Sequence, residues 1–348
     1  MISSSLMIGN SPRRPAPPQP GSRGSEILSQ AAAPTDRLGF VDLPQFVETH
    51  WAQAVRRIEV LTGGLNSETW TVTTATGRYV LKSVPAHDAG FIRGLELAAS
   101  LDRRGVPTGA PIRTVAGSLF ERTPDRSVAL LRWVDGEPLS AADPRSGARM
   151  GSMLARVHEA GATEPDDLET WLRILPFGDD YLDYEPWIRP AVENTLEATR
   201  ELHARSRMTW VGLHGDPSPS SFLVRGDDTG LIDWGATMFG PALYDLASAA
   251  MYLGCSIDEA GPEFVVRAVE HPGSASGSES LVAGYLAARP GMIDEVRLGF
   301  GTYLRVRLCV QAGYFAWRCA NDIRTGINSA EENQQGLRHA RESWGIQT

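Results

Sequence analysis

Cysteine is scarce in this chain: Cys255, Cys309 and Cys319 are the only three in 348 residues. They sit at no metal-binding spacing and are too few for a disulfide framework, so a reducing, cytoplasmic setting is expected. Long apolar runs are missing too. No stretch of about 18 or more uncharged apolar residues occurs, so no membrane span is expected. The N-terminus lacks the apolar core expected of a signal peptide. An excess of basic charge is also missing: the net charge is −9, which argues against a nucleic-acid partner. No internal repeat is visible. What is present is ordinary for a globular chain, 42% hydrophobic and 22% charged, with length for two to three structural units.

Residues 1–36 hold six prolines and seven serines and few large apolar groups. Such a segment cannot bury enough surface to offset its ordering entropy, and a disordered tail is expected. A helix is expected over 43–52. Strands follow at 54–61, 68–74 and 78–84, punctuated by Gly63-Gly64 and Thr76-Gly77. Trp70 and Val72 alternate with polar residues, as in an antiparallel meander. Phe91, Leu95 and Ala98 form one stripe of a helix over 91–104. Apolar runs at 111–115 and 127–134 complete a small sheet. After Asp135-Gly136 helical patterns dominate, at 140–160, 168–175, 190–206, 242–253, 278–288 and 292–319. The expected fold is α+β with two lobes: an antiparallel-sheet N-lobe over 37–135 and a larger helical C-lobe over 136–348. A nucleotide cleft between such lobes is a common solution.

The most informative stretch is 213–245. It carries His214-Gly215-Asp216 in a loop rich in proline and serine, and Ile232-Asp233-Trp234 at the end of a short strand. Between them an apolar run and the turn-like Arg225-Gly226-Asp227-Asp228 suggest a hairpin that brings the carboxylates together. Phosphoryl transfer from a nucleotide needs such a pair, one for the acceptor hydroxyl and one for the metal. The plain alternative is two turn-capping aspartates. Upstream residues argue against it. Gly64, Asn66 and Ser67 lie in a glycine-containing turn whose backbone amides could approach phosphates. Lys82 sits in an apolar strand, and Glu96, on the next helix, could pair with it and aim it at the phosphates. Each alone reads more readily as a hairpin turn, an edge-strand charge or a solvated helix face, but together they support one chemistry. Asp245 is a lone charge on an apolar helix. A buried charge must be paired, so it is expected to brace the catalytic loop, with His214 as the loop's anchor. Asp179, Asp180 and Asp183 lie in an acidic, tyrosine-containing segment that could wall an acceptor pocket or simply be solvated. The late helix has a mixed polar and aromatic face with Tyr303, Arg305, Arg307, Gln311 and Arg318, which could contact substrate or pack.

These residues, in this order, resemble the aminoglycoside phosphotransferase/choline kinase-like family, from about Val55 to the C-terminal helices. The resemblance implies a protein-kinase-like fold. It implies that Gly64, Asn66, Ser67, Lys82 and Glu96 serve the nucleotide phosphates and that the backbone of Arg132-Trp133-Val134 meets the adenine. It further implies Asp216 as catalytic base and Asp233 as metal ligand. The Gly240-Pro241 and Tyr244-Asp245 helix is also typical. The family carries an asparagine five residues after the catalytic aspartate; Ser221 stands there instead. A serine hydroxyl can ligate Mg²⁺ but is shorter. Residues 314–341 are similar to the homoserine-kinase-like branch.

The implied activity is an ATP- or GTP-dependent, Mg²⁺-requiring kinase of a small-molecule hydroxyl, an antibiotic first. The alternatives are a primary metabolite such as homoserine, choline or a sugar, or a nucleotide-binding protein without catalysis, which Ser221 raises. No nucleic-acid or membrane partner is expected, and the chain is expected to be a monomer or homodimer.

Overall fold

A computed structural model describes residues 37–38, 41–61, 67–161, 163, 166–175, 181–270, 276–324, 326–327 and 329–346. The expected tail over 1–36 lies outside the described residues. Two short paired strands, β1 (Arg37–Leu38) and β2 (Val41–Asp42), lead into α1 (Leu43–Trp51). Asp42 caps this helix by accepting from Gln45 N, and Ala52 ends it in the left-handed region at φ 52°.

A five-stranded antiparallel sheet follows: β3 (Val55–Val60), β4 (Glu68–Thr74), β5 (Arg78–Pro85), β6 (Glu121–Arg122) and β7 (Arg126–Arg132), in the order β3-β4-β5-β7-β6. Side chains alternate between the faces of a strand. On one face Trp70, Val72, Leu81, Val128 and Leu130 pack with Leu43, Val47 and Trp51 of α1. On the other, Val84 and Ala129 pack with Phe91 and Leu95 of α2 (Ala89–Asp102). Lys82 shares the parity of Val84 and pairs in register with Ala129. The strand pattern therefore turns Lys82 toward the α2 side.

The expected strand over 111–115 does not form. Pro111 makes an isolated bridge to Leu131, closed by Ile112 N to Leu130 O and Arg132 N to Ala110 O, and Gly117 N then returns to Thr114 O in a turn. Val115 is left exposed, and β6 takes the sheet edge.

The chain then crosses through 133–136. Gly136 adopts φ 142°, and a Cβ there would meet Val224 backbone atoms at 2.8–2.9 Å. This close approach lets β8 (Glu137–Pro138) pair with β10 (Phe222–Arg225), which pairs on its other side with β11 (Asp228–Leu231). β9 (Trp210–Leu213) pairs with β12 (Met238–Pro241). Around these strands lie α3 (Pro144–Ala160), α4 (Leu168–Ile174), α5 (Ile188–Arg205), α6 (Leu243–Tyr252), α7 (Pro262–Glu270), α8 (Gly277–Ala288), α9 (Ile293–Ala320) and α10 (Ala330–Ser343). The helices α7 and α10 were not expected from the sequence. The largest core runs through α3, α6, α8 and α9, with Leu246, Ala249, Leu281, Phe300, Leu304 and Leu308 at most 1% exposed. No helix among the described residues is long and apolar enough to cross a membrane.

Candidate active site

Two strand pairings bring the site together. β9 runs directly into His214-Gly215-Asp216, while β12 follows the turn 234–236. Because Leu213 pairs with Met238, the loop and the turn emerge side by side. Gly215 makes the contact possible: its φ is 88°, and a Cβ there would lie 2.1 Å from Ala236 O. The hairpin β10–β11 delivers the chain to Asp233, and Ile232 N donates to Ser221 O at 2.9 Å.

His214 locks loop and turn. Its Nε2 is 2.8 Å from Ile232 O, and its Nδ1 accepts from Asp216 N at 3.4 Å. These partners put the proton on Nε2. Asp245, fully buried on α6, accepts from His214 N at 2.7 Å and Gly215 N at 2.8 Å. His158 Nε2 lies 3.1 Å from the same carboxylate, and its Nδ1 lies 2.9 Å from Tyr285 Oη. A buried carboxylate without such donors would be strongly disfavoured. With them, it holds the backbone of the loop in place.

Asp216 is 3% exposed. Its Oδ1 accepts from Tyr252 Oη at 2.6 Å and from Arg307 Nη2 at 2.8 Å, while Oδ2 has no partner among the protein's atoms. Burial pushes its carboxyl above the ordinary carboxylate range; Arg307 and the Tyr252 hydroxyl pull the other way. Tyr252 was not singled out in the sequence. Arg307 appeared there only as part of a mixed helix face.

Lys82 Nζ is 2.5 Å from Asp233 Oδ1. Asp233 is a non-glycine residue at φ 70°, ψ 59°, a conformation that costs energy and tends to persist at functional sites. The expected Lys82–Glu96 pair does not form, which corrects that assignment. The reason is the rotation of α2. Its buried face carries Gly90 and Gly94, where a Cβ would come within 2.6 Å of Gly235 O and 2.1 Å of Trp234 O. That face lies directly on the turn after Asp233, and Glu96 is carried to the exposed side. The acid of this region that does feel Lys82 is Asp88, which caps α2 by accepting from Phe91 N at 2.9 Å. Burial raises its carboxyl above the usual value, and the charge of Lys82 works against that rise.

The remaining expected residues are placed as follows. In the crossover, Arg132 is exposed, Trp133 stacks under the Arg78 guanidinium at 3.9 Å, and Val134 reaches β11, where a Cβ on Gly230 would lie 2.6 Å from its Cγ1. Ser67 is half-buried, with its Oγ 3.5 Å from Thr69 Oγ1. Gly64, Asn66, Asp179 and Asp180 lie outside the described residues. Asp183 is exposed and pairs with Arg189 at 2.6 Å, so its charge is already matched.

Ser221 is buried in a single 3-10 turn over Pro219–Ser221, with its Oγ 3.1 Å from Ser218 Oγ. Among the described residues no group of three or more His, Cys, Asp or Glu side chains could hold a metal. Ile232, the residue before Asp233, bonds to Ser221 O across the strand pair, so the Asp233 carboxylate and the Ser221 hydroxyl are hard-oxygen groups of the kind Mg²⁺ takes together with water and substrate phosphates.

Residues 57–288 match the phosphotransferase enzyme family, and the chain belongs to it. It is a small-molecule kinase with a hydroxyl acceptor. Among curated relatives, the homoserine kinase of Methylobacillus flagellatus is 25% identical over 279 residues, covering 76% of this chain and 83% of that protein. The homoserine kinase of Methylobacillus glycogenes is 26% identical over 220 residues, 61% of this chain and 68% of that protein. Among solved structures, an amicoumacin kinase in complex with AMP-PNP and Ca²⁺ aligns with a TM-score of 0.60 at 14% identity, covering 86% and 92% of the two chains. A choline/ethanolamine kinase family protein from Mesorhizobium loti aligns with a TM-score of 0.56 at 19% identity, covering 82% and 87%. These alignments establish the protein-kinase-like, two-lobe fold.

Proposed function

We propose that the protein transfers the γ-phosphoryl group of ATP to the hydroxyl of a small amino-acid-type acceptor, homoserine first. Asp216 receives the hydroxyl proton, Lys82 neutralises phosphate charge, and Asp233 with Ser221 forms the Mg²⁺ position. Mg²⁺ would screen the phosphate charge that builds up in a loose transition state. Asp245, His158 and His214 fix the loop so that little reorganisation is needed when charge moves. With nucleotide bound, Lys82 would turn to the phosphates and the Asp233 carboxylate would hold Mg²⁺.

The observation that carries the choice of acceptor is the similarity to homoserine kinases over 76% of the chain. The acidic wall that would have favoured a cationic antibiotic is weakened at Asp183, which Arg189 neutralises. An antibiotic acceptor is the second reading; the antibiotic kinases of this fold support it through shape alone, at 14% identity.

The test is a coupled assay of ADP release with ATP and Mg²⁺ against homoserine, choline and a panel of aminoglycosides. Homoserine-stimulated turnover is expected. Asp216→Asn should lower kcat by about 10²–10⁴-fold, the usual reach of a general base, with ATP affinity retained. Turnover with an aminoglycoside and none with homoserine would reject the acceptor. Normal turnover in Asp216→Asn would reject the base.

A further inference from the structure

Asp216 has two oxygens in unequal surroundings. Tyr252 on α6 and Arg307 on α9 both donate to Oδ1, at 2.6 and 2.8 Å, and Arg307 Nη2 also lies 3.2 Å from Tyr252 Oη. The three groups close a triangle, with Tyr252 and Arg307 meeting the acid from two helices distant in sequence. Arg307 is 1% exposed, so it cannot swing away without opening the α6–α9 packing. Oδ2 is buried and has no partner among the protein's atoms, and the Nε and Nη1 of Arg307 beside it have none either. Leaving a buried acceptor unmatched costs about 1–3 kcal/mol, a cost expected to persist where function uses the group.

We infer that Tyr252 and Arg307 are positioning residues that occupy Oδ1 and so reserve Oδ2 for the acceptor hydroxyl. This rests on reading Asp216 as the base. The acceptor oxygen bonds to the γ-phosphorus as the bond from that phosphorus to the ADP oxygen breaks. The hydroxyl proton passes to Oδ2. With Oδ1 held by two donors, the carboxylate cannot rotate to offer either oxygen, and its plane is fixed for one direction of approach. Misplacement by about 1 Å can cost 10²-fold in rate, so the two donors matter without touching substrate.

The experiment measures kcat and KM for ATP and homoserine in Tyr252→Phe, Arg307→Lys and Arg307→Met, alongside acceptor-free hydrolysis of ATP by water. The hydrolysis uses the same base and needs no choice of acceptor. Tyr252→Phe keeps the ring and removes one donor; it should lower kcat by about tenfold, with both KM values within twofold. Arg307→Met should lose about 100-fold, and Arg307→Lys should recover at least tenfold of that. If Arg307→Met fails to fold, Tyr252→Phe decides alone. The inference is overturned if Tyr252→Phe keeps kcat within twofold of wild type, or if folded Arg307→Lys is no better than folded Arg307→Met. An inactive Asp216→Asn beside a normal Tyr252→Phe would reject the positioning and keep the base. An active Asp216→Asn would reject both.

Discussion

Gly94→Ala puts the packing of α2 to a direct test. A Cβ at this position would lie 2.1 Å from Trp234 O and 2.9 Å from Trp234 C. Ordinary contact begins at 3.4 Å, so helix and turn must separate by more than an ångström. Both sides of the clash are fixed to backbone, and no rotamer change relieves it. Overpacking of this kind costs about 1–3 kcal/mol, and the upper part of that range applies to backbone. Replacing glycine within a helix returns about 1 kcal/mol of propensity. The net loss is then about 1–2 kcal/mol, a melting temperature lower by about 1.5–3 °C for a chain of this length. The larger effect falls on activity. The displaced turn begins one residue after Asp233, so kcat should fall by about 10²-fold from misplacement of roughly 1 Å. Gly291→Ala is the control, because nothing lies within 4 Å of its Cβ position and its φ is ordinary. Calorimetry and steady-state kinetics on the two variants give the comparison. A Gly94→Ala protein as stable and as active as Gly291→Ala would show that α2 does not hold the turn.

Glu96→Gln should keep kcat/KM within about twofold, as expected for an exposed charge away from any pairing. Lys82→Met should lower kcat/KM by about 10²–10³-fold, the cost of removing one preorganised donor. Steady-state kinetics compare them; equal losses would restore the Lys82–Glu96 pair that the structure does not contain. Asp88→Asn keeps a helix cap and removes a titrating group. In the wild type the folded Asp88 carboxyl holds its proton more tightly than the unfolded one, whose ordinary value is 3.8. Stability therefore declines as pH rises from that value through the raised folded value, and stays lower above it. The melting temperature of Asp88→Asn relative to wild type should be more favourable at pH 7 than at pH 4. Thermal melts at the two pH values decide it, and a constant or reversed difference refutes the burial argument.

Lys82, Asp216 and Asp233 stand out in the sequence, because a charged group in an apolar strand and two aspartates around a hairpin are local signals. What it cannot state is which partner each takes. Lys82 and Asp233 are 151 residues apart, and a pairing across that distance depends on how α2 is rotated. The rotation had a signal of its own. Gly90 and Gly94 stand one helical turn apart, and residues at that spacing share a face. Small residues there mark a backbone-to-backbone contact, and the face opposite must carry Glu96 outward. The strand expected over 111–115 stops at one bridge for a local reason: the turn that Gly117 N makes back to Thr114 O follows too closely for the pairing to continue.

Arg307 carries the argument one step further. Asp245 was legible because a lone charge on an apolar helix must find a partner. The same rule applies to Arg307, flanked by Val306 and Leu308 in the run Leu304–Val310. It demands a buried acid and leaves open which one. Asp245 and Asp216 both qualify by burial. The backbone amides of His214 and Gly215, with His158, satisfy Asp245 already, and only the packing of α6 against α9 assigns the arginine to Asp216. A helix-by-helix reading thus finds each buried charge singly. The triangle of Asp216, Tyr252 and Arg307 exists only in the folded chain, and it ties α9 to the loop that carries Asp216.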